Sequence, residues 1–241
     1  MKNTKDAYLF VLKLFLLSSV LILITTVFGI LSRNLIQNNA TSEASIENDQ
    51  RITVILDAGH GGIDSGANVG EVFEKNLNLQ IVQEIERFIK LYDVDVVLTR
   101  TSDSLLADID SKNKKREDLL NRVKVANEYE SPVFISIHMN KFPQSKYKGL
   151  QVFYSKNNPY SEALALKLQS SNKLLLEPYN ERSVKRAGSS IYVLDRLRCP
   201  AVMIECGFIS NEDDIQKLSD INYQKKLAFV IASTIIEYLG L

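Results

Sequence analysis

The amino-acid sequence predicts an α/β fold: a mostly parallel (mixed) central sheet with helices on both faces, preceded by an N-terminal hydrophobic helix. Three observations carry this. Short β-branched runs alternate with longer segments whose apolar residues recur at helical spacing, the pattern of a layered α/β domain. Several of the short runs are almost continuously apolar, as strands covered by helices on both faces are. Ahead of them stands an uncharged stretch near the length that spans a bilayer.

That stretch runs from Leu14 to Leu31, eighteen residues without a charge, with Lys2, Lys5 and Lys13 before it and Arg33 after it. It is apolar all round rather than striped, which disfavours a buried core helix of the domain at the N-terminus. No clear small-x-small cleavage site follows before Ala40 and Ala44, so an uncleaved signal-anchor is favoured over a cleaved signal. The positive flank puts the N-terminus in the cytoplasm and everything after Arg33 outside, anchored to the membrane or, after cleavage, secreted. Residues 1–33 are therefore assigned to this segment, residues 34–50 to a polar linker rich in Asn, Ser, Thr and Glu, and residues 51–241 to one folded domain.

Within the domain, Ile52 to Leu56 reads as a strand closed by a glycine-rich turn, and Asn76 to Leu91 as a helix carrying Leu77, Ile81, Ile85, Phe88 and Ile89 on one face. Strands follow at Val94 to Thr99, Val133 to Ile137 and Leu150 to Tyr154, with a helix at Lys114 to Glu128 between the first two. A helix from about Ser161 to Leu176, strands near Ile191 to Leu194 and Ala201 to Ile204, and a last helix from about Tyr223 to Leu239 complete the expectation. No internal repeat interrupts it, so repeat-type wall-binding modules are not expected.

Composition removes several classes of function. Of 241 residues 45% are hydrophobic, enough for one substantial core. Lys plus Arg and Asp plus Glu both total 29, so no basic field draws in polyanions and nucleic acid is not an expected partner. Cysteine is limited to Cys199 and Cys206. The extended chain between them spans roughly 23 Å, too far for a disulfide, and both read as small buried apolar residues.

The chemistry lies at strand ends. The chain has two histidines, His60 after VILDAG and His138 after VFISI, and Glu205 closes AVMIE. In open parallel sheets the ligand crevice lies beyond the carboxyl ends of the strands, so three strands would deliver two imidazoles and a carboxylate to one edge. Such a set suits zinc, whose catalytic sites take three protein ligands and leave a fourth position open. Glycines 59, 61, 62 and 66 allow tight backbone near the metal. A phosphate cradle is disfavoured because neither GxGxxG nor GxxxxGK[ST] is present. Spacing alone leaves Asp57, Asp64, Glu71 and Glu74 competing as a further ligand.

The blocks DAGHGGIDSGA (57–67), EKNLNLQIV (74–82), VVLTRTSD (96–103), NRVKVAN (121–127), FISIHMN (134–140), GLQVFY (149–154) and PAVMIECGFISN (200–211) resemble, in order and spacing, those of the zinc-dependent N-acetylmuramoyl-L-alanine amidases. The resemblance implies a Zn²⁺ held by His60, Glu74 and His138, with Glu205 as the catalytic glutamate. The substrate it implies is peptidoglycan, cleaved at the amide between the lactyl group of N-acetylmuramic acid and L-alanine. Asp57 is then expected to fix the loop by hydrogen bonds to nearby backbone amides, and Arg100 and Arg122 to contact substrate carboxylates or form structural ion pairs. Cys206 departs from the expected aliphatic or threonine; its thiolate is a disfavoured metal ligand because the set is already full. An anchor followed by a catalytic domain without wall-binding repeats resembles the sporulation amidases that prepare spore cortex for germination. A zinc exopeptidase or a non-catalytic wall-binding or regulatory protein on the same fold are the rival readings, and a complete residue set still leaves room for a protein activator.

Overall fold

The computed structural model describes residues 52–241. The N-terminal segment, the linker and the anchor expected there lie outside the described residues. Among the described residues no helix is long and apolar enough to cross a membrane.

Six strands form one sheet. β1 (Thr53–Ala58) lies between β4 (Asp95–Leu98) and β5 (Pro132–Asn140), and β5 pairs with β8 (Ala201–Phe208), all in parallel. β6 (Gln151–Tyr154) joins β8 antiparallel, and β7 (Lys185–Arg186) closes the edge. The sheet is thus mixed at one side. A small hairpin of β2 (Asn68–Val69) and β3 (Val72–Phe73) stands apart from it.

Strand alternation separates two cores. Val54, Leu56, Ile135, Ile137 and Ile204 face one layer, where they meet Leu77, Ile81 and Ile85 of α1 (Glu74–Ile89), Leu164 and Leu168 of α3 (Tyr160–Leu175), and Leu227, Ile231 and Ile235 of α6 (Ile221–Leu239). Each such buried side chain contributes roughly 1.5–3 kcal/mol. Asp220 caps α6, accepting from Asn222 N at 2.9 Å, and Gly240 ends it in the left-handed conformation. Ile55, Phe134 and Ala201 face the other layer, covered by α2 (Lys114–Asn127) and the five-residue α4 (Tyr192–Arg196). This second cover is thin, and the sheet's carboxyl end stays open beside it.

The predicted strand at Ile191–Leu194 is corrected to α4. A short apolar run does not distinguish strand from helix by period. β8 already has β5 and β6 on its two sides, so IYVLD packs Val193 and Leu194 down on the sheet instead of joining it. The hairpin, β7 and α5 (Glu212–Leu218) add to the expected elements.

Candidate metal centre and active site

His60 sits in the loop after β1 and has a positive φ of 63°, unusual for a residue with a Cβ. The strain is held by flanking bonds. Arg122 Nη2 donates to the His60 carbonyl at 2.8 Å, and Arg100 donates to the carbonyls of Ala58 at 2.8 Å and Gly59 at 3.1 Å. His138 and Glu205 lie inside longer strands than expected, and they are paired in register on β5 and β8. Glu74 opens α1, where the helix N-terminus favours a carboxylate. Its Oε2 accepts from Ala67 N at 2.7 Å and its Oε1 from Met139 N at 3.0 Å, so the side chain crosses from the helix to β5.

These elements bring His60, Glu74 and His138 together, with ligand atoms within 4.8 Å of one another. Glu74 Oε1 is 3.2 Å from His60 Nε2 and 2.9 Å from His138 Nδ1. Donors on a tetrahedral ion with bonds of about 2.0–2.1 Å stand roughly 3.3 Å apart, so the set fits such an ion. His60 Nδ1 is 2.9 Å from Asp64 Oδ2, which leaves Nε2 turned to the cluster. Asp64 therefore orients a member of the set. Glu71 is absent from it. The space is shaped by two glycines: a Cβ on Gly59 would overlap the His138 ring, and one on Gly66, at φ +63°, would overlap Glu74 and His60.

The electrostatics follow from that crowding. Burial opposes charge on His60, but Glu74 and Asp64 outweigh it and hold its pKa above the ordinary value. Burial likewise opposes ionisation of Glu74, and the hydrogen bonds and charges of His138 and His60 outweigh it, keeping its pKa low. Glu205 is different. Its Oε2 is enclosed with no hydrogen-bond partner among the described residues, and burial pushes its carboxyl up to about 7 despite the opposing pull of His138.

Asp57 does not bond loop amides as expected. It is a buried strand residue that pairs with Arg122 and accepts from Thr99 Oγ1 at 2.7 Å and Ser136 Oγ at 2.6 Å. The dipeptide before Gly59 points this carboxylate inward, away from the loop. Arg122 also binds Asp118 at 2.8 Å, and Arg100 spends its donors on four backbone carbonyls, so both are structural and neither is free for substrate. Cys206 alternates to the sheet face opposite Glu205, packs in the core there, and has its thiol pKa raised well above the usual range by burial. It is no ligand. Gln151, paired in register with Glu205 from β6, was no candidate; its only signal is an uncharged polar residue opening an apolar strand.

A cavity of about 220 Å³ opens over His60 and His138, walled by Lys115, Ser190 and Tyr192. A larger one, about 720 Å³, lies at the amino ends of the strands beside Pro132 and Pro200, away from this chemistry.

An α/β domain with a possible metal site and an enclosed glutamate at the carboxyl end of its sheet has the form of a hydrolase. The profile of the N-acetylmuramoyl-L-alanine amidases matches residues 54–237, and the chain belongs to that family. It is 34% identical over 188 residues to the germination-specific N-acetylmuramoyl-L-alanine amidase of Bacillus subtilis, covering 77% of this chain and 78% of that one. Among solved structures it is similar to the CwlD amidase of Clostridioides difficile in complex with the GerS lipoprotein (40% identity, TM-score 0.75, 78% of this chain and 98% of that one). It is also similar to the catalytic domain of CwlV, an N-acetylmuramoyl-L-alanine amidase of Bacillus (Paenibacillus) polymyxa var. colistinus (32% identity, TM-score 0.66, 78% and 98% covered).

Proposed function

We propose that the chain is a zinc-dependent peptidoglycan amidase in which His60, Glu74 and His138 hold the metal and Glu205 is the catalytic acid and base. The observation that carries this is the convergence of the three donors within 4.8 Å, on the same edge as a buried glutamate oxygen with no hydrogen-bond partner among the described residues. Zinc, when bound, supplies Lewis-acid polarisation of a carbonyl and acidification of water. Glu205 Oε2 accepts the proton that the attacking water gives up and returns it to the leaving L-alanine amine. Asp64 holds the His60 ring in the orientation that presents Nε2, and Arg122 and Arg100 fix the backbone on which His60 stands.

Two finer assignments extend this reading. The likeness to a germination-specific enzyme supports spore cortex as the substrate form, and the uncharged run at residues 14–31 supports a membrane anchor that leaves the domain outside the cytoplasm.

The test is Glu205→Gln, which keeps size and some hydrogen bonding while removing the base. Zinc content should stay near that of the unaltered chain, and release of peptides with a free L-alanine amine should fall by roughly 10²–10⁴-fold. A variant that loses its zinc would make Glu205 a ligand or a support for one; a variant that keeps both zinc and activity would place the base elsewhere.

A further inference from the structure

With Arg100 and Arg122 occupied inside the fold, the recognition of substrate carboxylates falls to another cation, and one lies in line with the site. His138, Glu205 and Gln151 occupy one register row across β5, β8 and β6. Side chains in one row share a face. Gln151 Oε1 accepts from Arg182 Nη2 at 2.7 Å, and Gln151 Nε2 donates to the carbonyl of Ser183 at 2.8 Å, so Gln151 tethers the segment that carries Arg182. The guanidinium lies 4.7 Å from the Phe208 ring centroid, and its enclosed Nε has no hydrogen-bond partner among the described residues.

Beyond Arg182 is a cavity of about 410 Å³ lined by Lys148, Tyr179, Arg182 and Lys217. Two of the acids lining it are turned to the protein. Asp214 accepts from Gly149 N at 2.8 Å and Phe208 N at 2.9 Å, and Glu177 accepts from Leu150 N at 2.9 Å and Asn180 Nδ2 at 2.8 Å. Lys148 pairs with the exposed Asp213 at 3.1 Å. Glu181, which also lines the cavity, is exposed and pairs with Lys173 at 2.9 Å, so each of these carboxylates already has a partner within the protein.

We propose that Arg182 and this cavity bind the peptide stem of the substrate, with Arg182 reading a stem carboxylate next to the scissile bond. This rests on the amidase reading of the neighbouring site. A planar fork of donors suits a carboxylate, and the neutral chain as a whole gives no field for a polyanion. Spacing agrees. Gln151 stands one strand spacing, roughly 5 Å, from Glu205, and Arg182 Nη2 lies 2.7 Å beyond its Oε1. A carboxylate on the residue after L-alanine lies roughly 7 Å of extended chain from the scissile amide, and its own side chain covers the remainder.

The experiment compares two stem peptides beginning with L-alanine, one with free side carboxyls and one with those carboxyls amidated, by calorimetric binding to the full chain. The free acid should bind roughly 10- to 100-fold more tightly, the worth of a charge-assisted hydrogen bond. Arg182→Ala should erase that preference, weakening the free acid and leaving the amidated peptide unchanged, and Arg182→Lys should restore part of it. In turnover of the corresponding muropeptides the same variant should raise KM for the free acid with kcat little changed. If Arg182→Ala weakens both peptides by the same factor, or the unaltered chain does not discriminate, the proposal is overturned. Because binding is read without cleavage, a chain that prefers the free acid but hydrolyses neither muropeptide refutes the amidase reading alone.

Discussion

Replacing Arg122 with methionine should cost the domain about 3–5 kcal/mol, the penalty for removing one partner of a buried ion pair. Arg122 is 2% exposed and makes bonds to Asp57, to Asp118 at 2.8 and 3.3 Å, and to the carbonyls of Ala58 and His60, each at 2.8 Å. Methionine fills most of the stem's volume, so the loss is of charge and donors rather than packing. Arg100 cannot substitute, since its donors already lie on carbonyls. Summing charged hydrogen bonds at about 1.5–3 kcal/mol each would overshoot, because Asp57 relaxes by taking a proton. Against a typical domain stability of about 5–15 kcal/mol the loss is large. Urea unfolding should show the midpoint falling with the slope unchanged. Asp57→Asn in the same background should recover part of the loss, as coupled neighbours do. A drop under about 1 kcal/mol for Arg122→Met at unchanged slope would refute the reasoning.

Acid should narrow that gap. Burial raises the pKa of Asp57, but Arg122, Ser136 and Thr99 outweigh it and hold the folded value below the ordinary 3.8. This group therefore stabilises the fold above its unfolded pKa and ceases to as pH falls through the lower folded value. Without Arg122 only the hydrogen bonds of Ser136 and Thr99 and the more distant His138 still oppose burial, so unfolding midpoints at pH 7, 5 and 3.5 should draw together between the two chains; a pH-independent gap would count against it. Gly66→Ala should remove most bound zinc, because its Cβ meets Glu74 and His60, whereas Gly70→Ala, also at positive φ but with nothing within 4 Å, should lose only about 1 kcal/mol and keep its metal. Elemental analysis of both variants decides this, and equal zinc in the two would contradict the geometry.

The layered fold was legible because its signals are local. Leu77, Ile81 and Ile85 recur at helical spacing and are buried on one helix, and the runs at 53–56 and 133–137 are strands at the centre of the sheet, apolar because both faces are covered. IYVLD failed the same test because period cannot place so short a run. What excluded it from the sheet was the pairing of β8 on both sides, which depends on residues far away in sequence. The antiparallel entry of β6 was hidden for the same reason.

The site divides along the same line. Two lone histidines after apolar strands pointed to one edge because a parallel sheet collects its strand ends there. Which carboxylate joins them depends on how α1 starts: Glu74 reaches β5 only because the helix begins at that residue and its oxygens take the amides of Ala67 and Met139. Asp57 and Asp64 looked equivalent in sequence, yet one faces Arg122 inside the sheet and the other His60 in the loop. The arginines follow from this. A buried carboxylate on β1 requires a buried cation, so Arg122 is committed to the fold before any substrate arrives, and the His60 loop is held by the same guanidinium. Stability and site geometry here share one residue, and a cation for the substrate has to come from elsewhere on the surface.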